Sequence, residues 1–349
     1  MAKRNKKMKK GMLFGLIALV VIAIGAGFWF FGDKEKLQEI IPGKKPKEEE
    51  KKLQIVDLGS SSRSFAVMIN NHNQARPYHS GLGDAYIVYE MIVEGSITRY
   101  LAIFRDASTE KIGSVRSARH YFLDYALEND AIYVHWGQSP QAQADINSLR
   151  VNAINGIAYE GKYFFRDKSL NVSSEHTGFT SMKLVNEGAS NLNYRTTSEK
   201  RLLLDYSVES VDMASIEGAK AANTVSIDYG SNKTEYVYDA ARKVYLRRTG
   251  GTPHIDYVTK EQFSAKNIIT YKVSTSTIAG DSSGRQDFDN IGRGEGYFIS
   301  EGYAVPITWE KSSRSAQTVY KYNDGTEIKV NDGNTWIQIQ PTSRTLVIE

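Results

Sequence analysis

Five cations crowd one short stretch of this chain: Arg99, Arg105, Lys111, Arg116 and Arg119. Arg116 and Arg119 flank Ser117, where helical spacing begins; Ala118, Tyr121, Phe122, Tyr125 and Ala126 form one apolar stripe through residue 129. Positive side chains at a helix start oppose the helix dipole, which favours anions at that end. Two guanidinium forks beside free backbone amides suit a phosphate or a carboxylate. Arg99, Arg105, Arg116, Ser117 and Arg119 are therefore candidate anion-binding residues. The competing reading is an internal ion-pair network in which these cations neutralise Glu90, Glu94 and Asp106.

The acids Asp84, Glu90 and Glu94 lie along one strand and its turn. Paired carboxylates can serve glycoside chemistry or hold a divalent cation. Glu90 and Glu94 share strand parity, so a regular strand puts both on one face. Pairing with the arginines is the structural alternative. His135 ends an apolar strand just before a glycine turn and a helix start, Ser139-Pro140. Ligands of α/β sheets gather beyond the carboxyl ends of strands, which makes His135, Gln138 and Ser139 pocket candidates. Ser139 lacks a G-x-S-x-G elbow, and helix capping accounts for it. His135 fits a satisfied core histidine equally well. Arg166, Asp167, Lys168 and the Glu175-His176 pair sit in polar stretches that could rim a pocket or be solvated loops. No H-E-x-x-H or dense His/carboxylate cluster occurs, so no metal site or cofactor is expected. Mg²⁺ enters only if an acid such as Asp84 or Glu94 works beside the arginines. Gly292, Gly294 and Gly296 have no helix after them and read as turn residues, not a nucleotide loop.

The elements that would position these groups are legible. Phe65–Ile69, Ala85–Val93 and Thr98–Phe104 read as strands, the last two joined by a glycine-first turn at Gly95-Ser96. Their apolar content on both faces implies a covered sheet with helices against it. A strand at Ala131–Trp136, a helix from Ser139-Pro140 and a helix at Ser181–Glu187 follow. Residues 53–215 thus read as an α/β domain, a mixed sheet covered by helices. From residue 216 the pattern turns to short β-branched or aromatic segments between glycine and Asp-Gly turns, a mostly β domain.

Ahead of both domains comes an anchor. Residues 1–10 carry six positive charges, and residues 12–31, within an apolar segment at 11–32, contain no charge. Twenty such residues are long enough to span a bilayer, and the basic decapeptide keeps the N-terminus cytoplasmic. A cleaved signal peptide is the alternative, with Gly25-Ala26-Gly27 as the small-residue site. The apolar run continues into Phe28, Trp29, Phe30 and Phe31, which favours a retained single-pass helix. Residues 33–52 are rich in charge and read as a solvated tether.

The net charge of +4 over 349 residues misleads, because the tail and tether supply more than all of it. About −3 is left for residues 53–349, which carries no nucleic-acid signature. With no cysteine, the chain cannot form disulfides, thiolate metal sites, a cysteine nucleophile or a lipid-bearing cysteine.

Several blocks together resemble the YerB-like family of bacterial envelope proteins: residues 75–104, 111–125, 133–142, 162–169, 290–309 and 333–339. The resemblance covers most of residues 60–345. It implies a two-domain extracytoplasmic protein, mainly of Gram-positive-type bacteria, with no established activity. Members often carry a lipid-attachment cysteine; here a membrane helix takes over the anchoring. A shorter likeness to the LytR-CpsA-Psr transferases rests on the single anchor, Asp84 before an apolar strand, and Arg105-Asp106 after the next. The expectation is a membrane-anchored binding or scaffold protein of the cell envelope, recognising an anionic cell-wall ligand or an envelope protein. The alternative is an enzyme acting on a phosphate-bearing wall polymer or lipid-linked precursor.

Overall fold

A computed structural model describes residues 52–349. The basic tail, the apolar segment at 11–32 and the tether up to residue 51 lie outside the described residues. Among the described residues no helix is long and apolar enough to cross a membrane.

The first half of the described chain contributes β1 (Phe65–Asn70), β2 (Ile87–Ile92), β3 (Thr98–Phe104), α1 (His120–Glu128), β4 (Ile132–His135), α2 (Pro140–Ser148), β5 (Ala153–Asn155), α3 (Gly156–Tyr159) and α4 (Met182–Asn191). Every residue of β1, β2 and β3 is buried, as expected of strands covered on both faces. α1 turns Tyr121, Phe122, Tyr125 and Ala126 into the core. α2 begins where Ser139 caps it, Oγ accepting from the Ala142 amide at 3.1 Å, with proline at its first position. The turn after β2 is wider than two residues: Val93 N–H closes it on the Ile97 carbonyl at 2.6 Å around Glu94, Gly95 and Ser96.

The second half is mostly β. It contributes β6 (Lys220–Ala221), β7 (Thr224–Asp228), β8 (Lys233–Asp239), β9 (Val244–Thr249), β10 (Asn267–Thr277), β11 (Gly292–Ser300), β12 (Tyr303–Lys311), β13 (Thr335–Pro341) and β14 (Leu346–Ile348). β7, β8, β9 and β14 form a separate antiparallel sheet, and its strand β9 alternates half-exposed with buried residues.

The change to mostly β patterning at residue 216 does not interrupt the main sheet. One sheet runs β6-β12-β11-β10-β13-β2-β3-β1-β4-β5 across that boundary. The seam is β13, which pairs in parallel with β10 on one side and with β2 on the other, Ile87 opposite Thr335 and Tyr89 opposite Ile337. A strand from near the C-terminus thus satisfies the backbone edge that β2 would otherwise expose.

Two fully buried ion pairs cross between the sequence halves. Glu128 at the end of α1 accepts from Lys311 Nζ at 2.8 Å, from the Tyr89 hydroxyl at 2.7 Å, and from the Thr318 amide and hydroxyl at 3.0 and 2.7 Å. Glu90 on β2 accepts from Arg247 on β9 at 2.8 Å, both side chains fully enclosed. Tyr89 and Glu90 point to opposite faces of β2, so one strand engages both halves of the C-terminal region.

Residues 53–215 expressed alone are therefore expected not to fold. They keep β2 but lose β13, Arg247 and Lys311. Near-ultraviolet circular dichroism of that fragment should show no fixed aromatic packing, and a cooperative thermal transition in it would refute the shared sheet.

Candidate functional site

The cation cluster seen in the sequence is dispersed by the fold. β3 begins at Thr98 and ends at Phe104, and six residues of strand separate Arg99 from Arg105 by about 20 Å. Arg105 donates to the Ser60 carbonyl and lies 3.8 Å from Asp106, away from the other arginines. Lys111 pairs with Asp167 at 2.6 Å and stands over the Phe179 ring.

Arg99 and Arg119 are buried and already committed. Arg119 Nε donates to Glu94 at 2.5 Å and its Nη1 to the Ala118 carbonyl at 2.7 Å. Arg99 donates to the Ser117 carbonyl at 2.7 Å and lies 3.7 Å from the second Glu94 oxygen. Burial alone would raise the Glu94 carboxyl, but the Arg119 hydrogen bond and the Arg119 and Arg99 charges hold it below its usual range. The anion that these arginines meet is the chain's own Glu94.

The helix-start geometry also differs from expectation. α1 begins at His120 with an extended Arg119 at its cap, because Val115 and Ala118 bridge to Ile69 and Gln138. Arg116 N–H donates to the Met68 carbonyl at 2.9 Å, Trp136 N–H to Arg116 at 3.0 Å, and Ala118 N–H to Gly137 at 2.9 Å. This segment is held between the ends of β1 and β4, so Arg116 and Ser117 precede the helix and do not converge with Arg119 on its first turn. Ser117 Oγ donates to the Trp136 carbonyl at 3.1 Å.

Glu90 and Glu94 share no face, because β2 stops at Ile92 before Glu94. Asp84 accepts from Thr109 at 2.6 Å and opens on a cleft of about 440 Å³ whose lining includes Lys111, Asp256 and Phe263 but no arginine. His135 is enclosed, its Nδ1 donating to the Gly137 carbonyl at 2.8 Å, and burial pushes it down to about 4. It is a satisfied core histidine. Ser139 is buried and used as a cap. Among the described residues no group of three His, Asp or Glu side chains is placed to hold a metal ion.

What the fold does assemble lies at the carboxyl edge of β1, β4 and β5, which run parallel and end at Asn70, His135 and Asn155. Asn155 Oδ1 accepts from the Gly137 and Ile157 amides at 3.0 Å each, and its Nδ2 donates to Gln138 at 2.9 Å. Arg166 lies 4.4 Å above the Trp136 ring and pairs with Glu160 at 2.8 Å. Trp136 packs directly on backbone: a Cβ at Gly156 or Gly178 would come within 2.5 and 2.6 Å of the indole. Arg116 pairs with Glu175 at 3.0 Å. Both arginines grip successive loop carbonyls, Arg166 that of Ser174 and Arg116 that of Glu175. Lys168 is exposed beside them. His176, expected on a pocket rim, is instead buried and stacked on His72 with ring centres 4.9 Å apart.

Sequence reasoning missed a buried relay beneath this edge. Arg247 donates to His254 Nδ1 at 2.5 Å, His254 Nε2 donates to His79 Nδ1 at 2.7 Å, and His79 Nε2 donates to the Asn70 carbonyl. The Asn70 side-chain amide then donates to His176 Nδ1 at 2.8 Å. These partners fix both His79 and His254 as neutral tautomers. Burial pushes His79 down to about 3 against the Asn70 hydrogen bond, with Arg247 and Arg76 adding to the fall. Burial, then the Arg247 charge, likewise holds His254 well below its usual range. One signal was available: in β9, Arg247 occupies the buried phase of an alternating strand together with Tyr245.

With the geometry in hand, comparison with known proteins gives the class. Residues 53–195 match the family described as "Protein of unknown function (DUF3048) N-terminal domain", and residues 225–337 match its C-terminal domain. The chain belongs to this two-part family. It is 34% identical over 284 residues to the protein named "Putative lipoprotein YerB" of Bacillus subtilis (strain 168), covering 80% of this chain and 81% of that one. The crystal structure of YerB protein from Bacillus subtilis superposes with a TM-score of 0.71 at 32% identity, over 82% of this chain and 94% of that chain. The resemblance read from the sequence blocks is thereby met.

The buried histidines predict a pH dependence. His79 and His135 bind protons at about 3 and about 4 in the fold but near 6.5 when unfolded. The unfolded chain therefore holds more protons between those values, and stability falls as the pH drops from about 6.5 toward 4. Melting temperature measured across that range should decline before the carboxylates titrate. His79→Gln should flatten part of the slope, and a level profile from pH 6.5 to 4.5 would contradict neutral buried imidazoles.

Proposed function

We propose that this chain is a non-catalytic binding protein of the cell envelope, held at the membrane by its N-terminal segment, with the carboxyl edge of β1, β4 and β5 as its recognition face. The relative's name, a lipoprotein, supports an envelope location. The observation that carries the binding reading is the division of the arginines into two groups. Arg99, Arg119 and Arg247 are buried and spent on internal carboxylates and carbonyls. Arg116 and Arg166 are partly exposed, and their carboxylate partners Glu175 and Glu160 are 54% and 46% exposed. Such surface pairs contribute about 0–1 kcal/mol each, so an incoming anion can displace the glutamates at little cost. Stacking on Trp136 and the grip on the 174–175 loop hold both guanidinium groups in place beforehand, which lowers the ordering cost of binding. The ligand that fits is an anionic wall polymer with hydroxyl groups for Gln138 and Asn155. The enzymatic reading requires an acid beside the arginines and facing a cleft; Glu94 is held in pairs with Arg99 and Arg119, and Asp84 faces a cleft without arginines.

Arg116→Ala together with Arg166→Ala should leave the melting temperature within a few degrees of wild type, since the losses are partly exposed pairs, one stack on Trp136 and bonds to a single surface loop. Co-sedimentation of the full chain with isolated cell walls should fall sharply in this variant. It should also weaken as salt rises, because the contacts lie at the surface. Undiminished sedimentation of the double variant would rule out this face.

A further inference from the structure

A second group of cations, separate from the recognition face, lines a cleft of about 410 Å³ between the loop after β1 and the segment after β9. Its walls present Asn73, Arg76, Thr249, Thr252, Tyr257 and Lys260. Arg76 Nε donates to Asn71 Oδ1 at 3.0 Å. Asn71 is itself fully buried, its amide donating to Thr98 at 2.5 Å and reaching Glu90 at 3.4 Å. One edge of the Arg76 guanidinium is thus fastened to the core network. Neither Nη group meets a protein acceptor among the described residues, and no carboxylate lies within ion-pair distance. The Gly250 turn passes close by, a Cβ there standing 3.7 Å from Nη1.

Lys260 is exposed and stands over the Tyr257 ring at 4.2 Å, also without a carboxylate partner among the described residues. The one acid in the lining is Asp256, and its oxygens already accept from the amides of Gly81 at 2.7 Å, Val258 at 2.7 Å and Thr259 at 3.1 Å. The floor adds no free negative charge: Glu90 is neutralised by Arg247, and His254 and His79 are neutral.

We propose that this cleft is a binding site for a phosphate ester, with Arg76 and Lys260 holding the phosphoryl oxygens. A guanidinium fixed at Nε presents its two Nη groups as a fork, which matches a tetrahedral oxyanion in a bidentate manner. Lys260 supplies a second, movable charge. Asn73, Thr249 and Thr252 supply hydrogen-bonding groups for the esterified alcohol, and the Tyr257 ring an apolar wall for its carbon face. The volume falls within the range of small-ligand sites. Asn71 acts here as a positioning residue, touching Arg76 and not the ligand. The phosphate can come from a soluble or wall-borne ester or from a lipid headgroup; the chemistry recognised is the same.

The test is calorimetric titration of the full-length protein in nonionic detergent with glycerol 3-phosphate, and in parallel with short-chain phosphatidylglycerol against neutral short-chain phosphatidylcholine, each as mixed micelles in the same detergent. Saturable binding of glycerol 3-phosphate is expected, weakened about tenfold or more by Arg76→Ala and by Lys260→Ala. It should be unchanged by Arg242→Ala, an exposed cation outside both this cleft and the recognition face. Binding to the charged mixed micelles alone, with the same dependence on Arg76 and Lys260, would support the site and place the phosphate on a lipid. Lys260→Ala removes only an exposed side chain and carries the test if the Arg76 variant does not fold. The proposal is overturned if no phosphate probe binds, if acetate binds as well as glycerol 3-phosphate, or if both variants bind like wild type.

Discussion

The buried pair between Glu90 and Arg247 is the contact on which the arrangement turns. Its members are 157 residues apart in the chain and fully enclosed at 2.8 Å. Removing two charges from water costs several kcal/mol each, and their attraction offsets this only when the remaining polar atoms are also satisfied. Glu90 meets that condition through Thr98 at 2.8 Å and Thr234 at 3.2 Å. Arg247 also lies 4.5 Å from the Trp336 ring of β13 and 5.1 Å from Tyr100 of β3. Such a pair need not add much net stability, but a mispacked alternative would strand either charge, at about 3–5 kcal/mol. It thereby selects one way for the second sheet to seat on the first.

From that pair the polar interior extends outward in two directions. Through His254, His79 and Asn70 it reaches His176 and the edge that carries Arg116. Through Asn71 it reaches Arg76. Charges near the pair are enclosed by the fold, and those at the ends of the two branches are partly exposed. The proposed function follows this gradient, assigning the buried arginines to architecture and the outer ones to ligands.

The sequence revealed local elements and concealed distant partnerships. Apolar runs identified β1, β2 and β3, and the Ser139-Pro140 signal located the start of α2, because those cues act within a few residues. The start of α1 was placed at Ser117, three residues early, because Ala118 continues the helical spacing yet the segment around it pairs with the ends of β1 and β4, a tertiary demand that overrides a short pattern. Arg99 and Arg105 looked like neighbours in the chain, but an extended strand carries them to opposite ends. The ion-pair reading set Glu90 among the cations of residues 99–119, and it instead meets Arg247, which no local spacing reveals. The change from α/β to β patterning near residue 216 is real, yet it does not interrupt the main sheet, since β13 returns to pair with β2. Of the candidate site, Arg116, Arg166 and Gln138 were legible, while Trp136 and Arg76 drew no attention because neither lies in a charge cluster or a recognisable motif.

If the shared sheet and the crossing ion pairs make residues 52–349 a single cooperative body, their most protected amides must open together. Native-state hydrogen exchange of the full chain reads this directly, followed at β2, β13 and β9 under rising denaturant. A common opening free energy and a common denaturant dependence for all three strands is the predicted result. Two distinct global openings, with β2 in one and β9 with β13 in the other, would contradict the account.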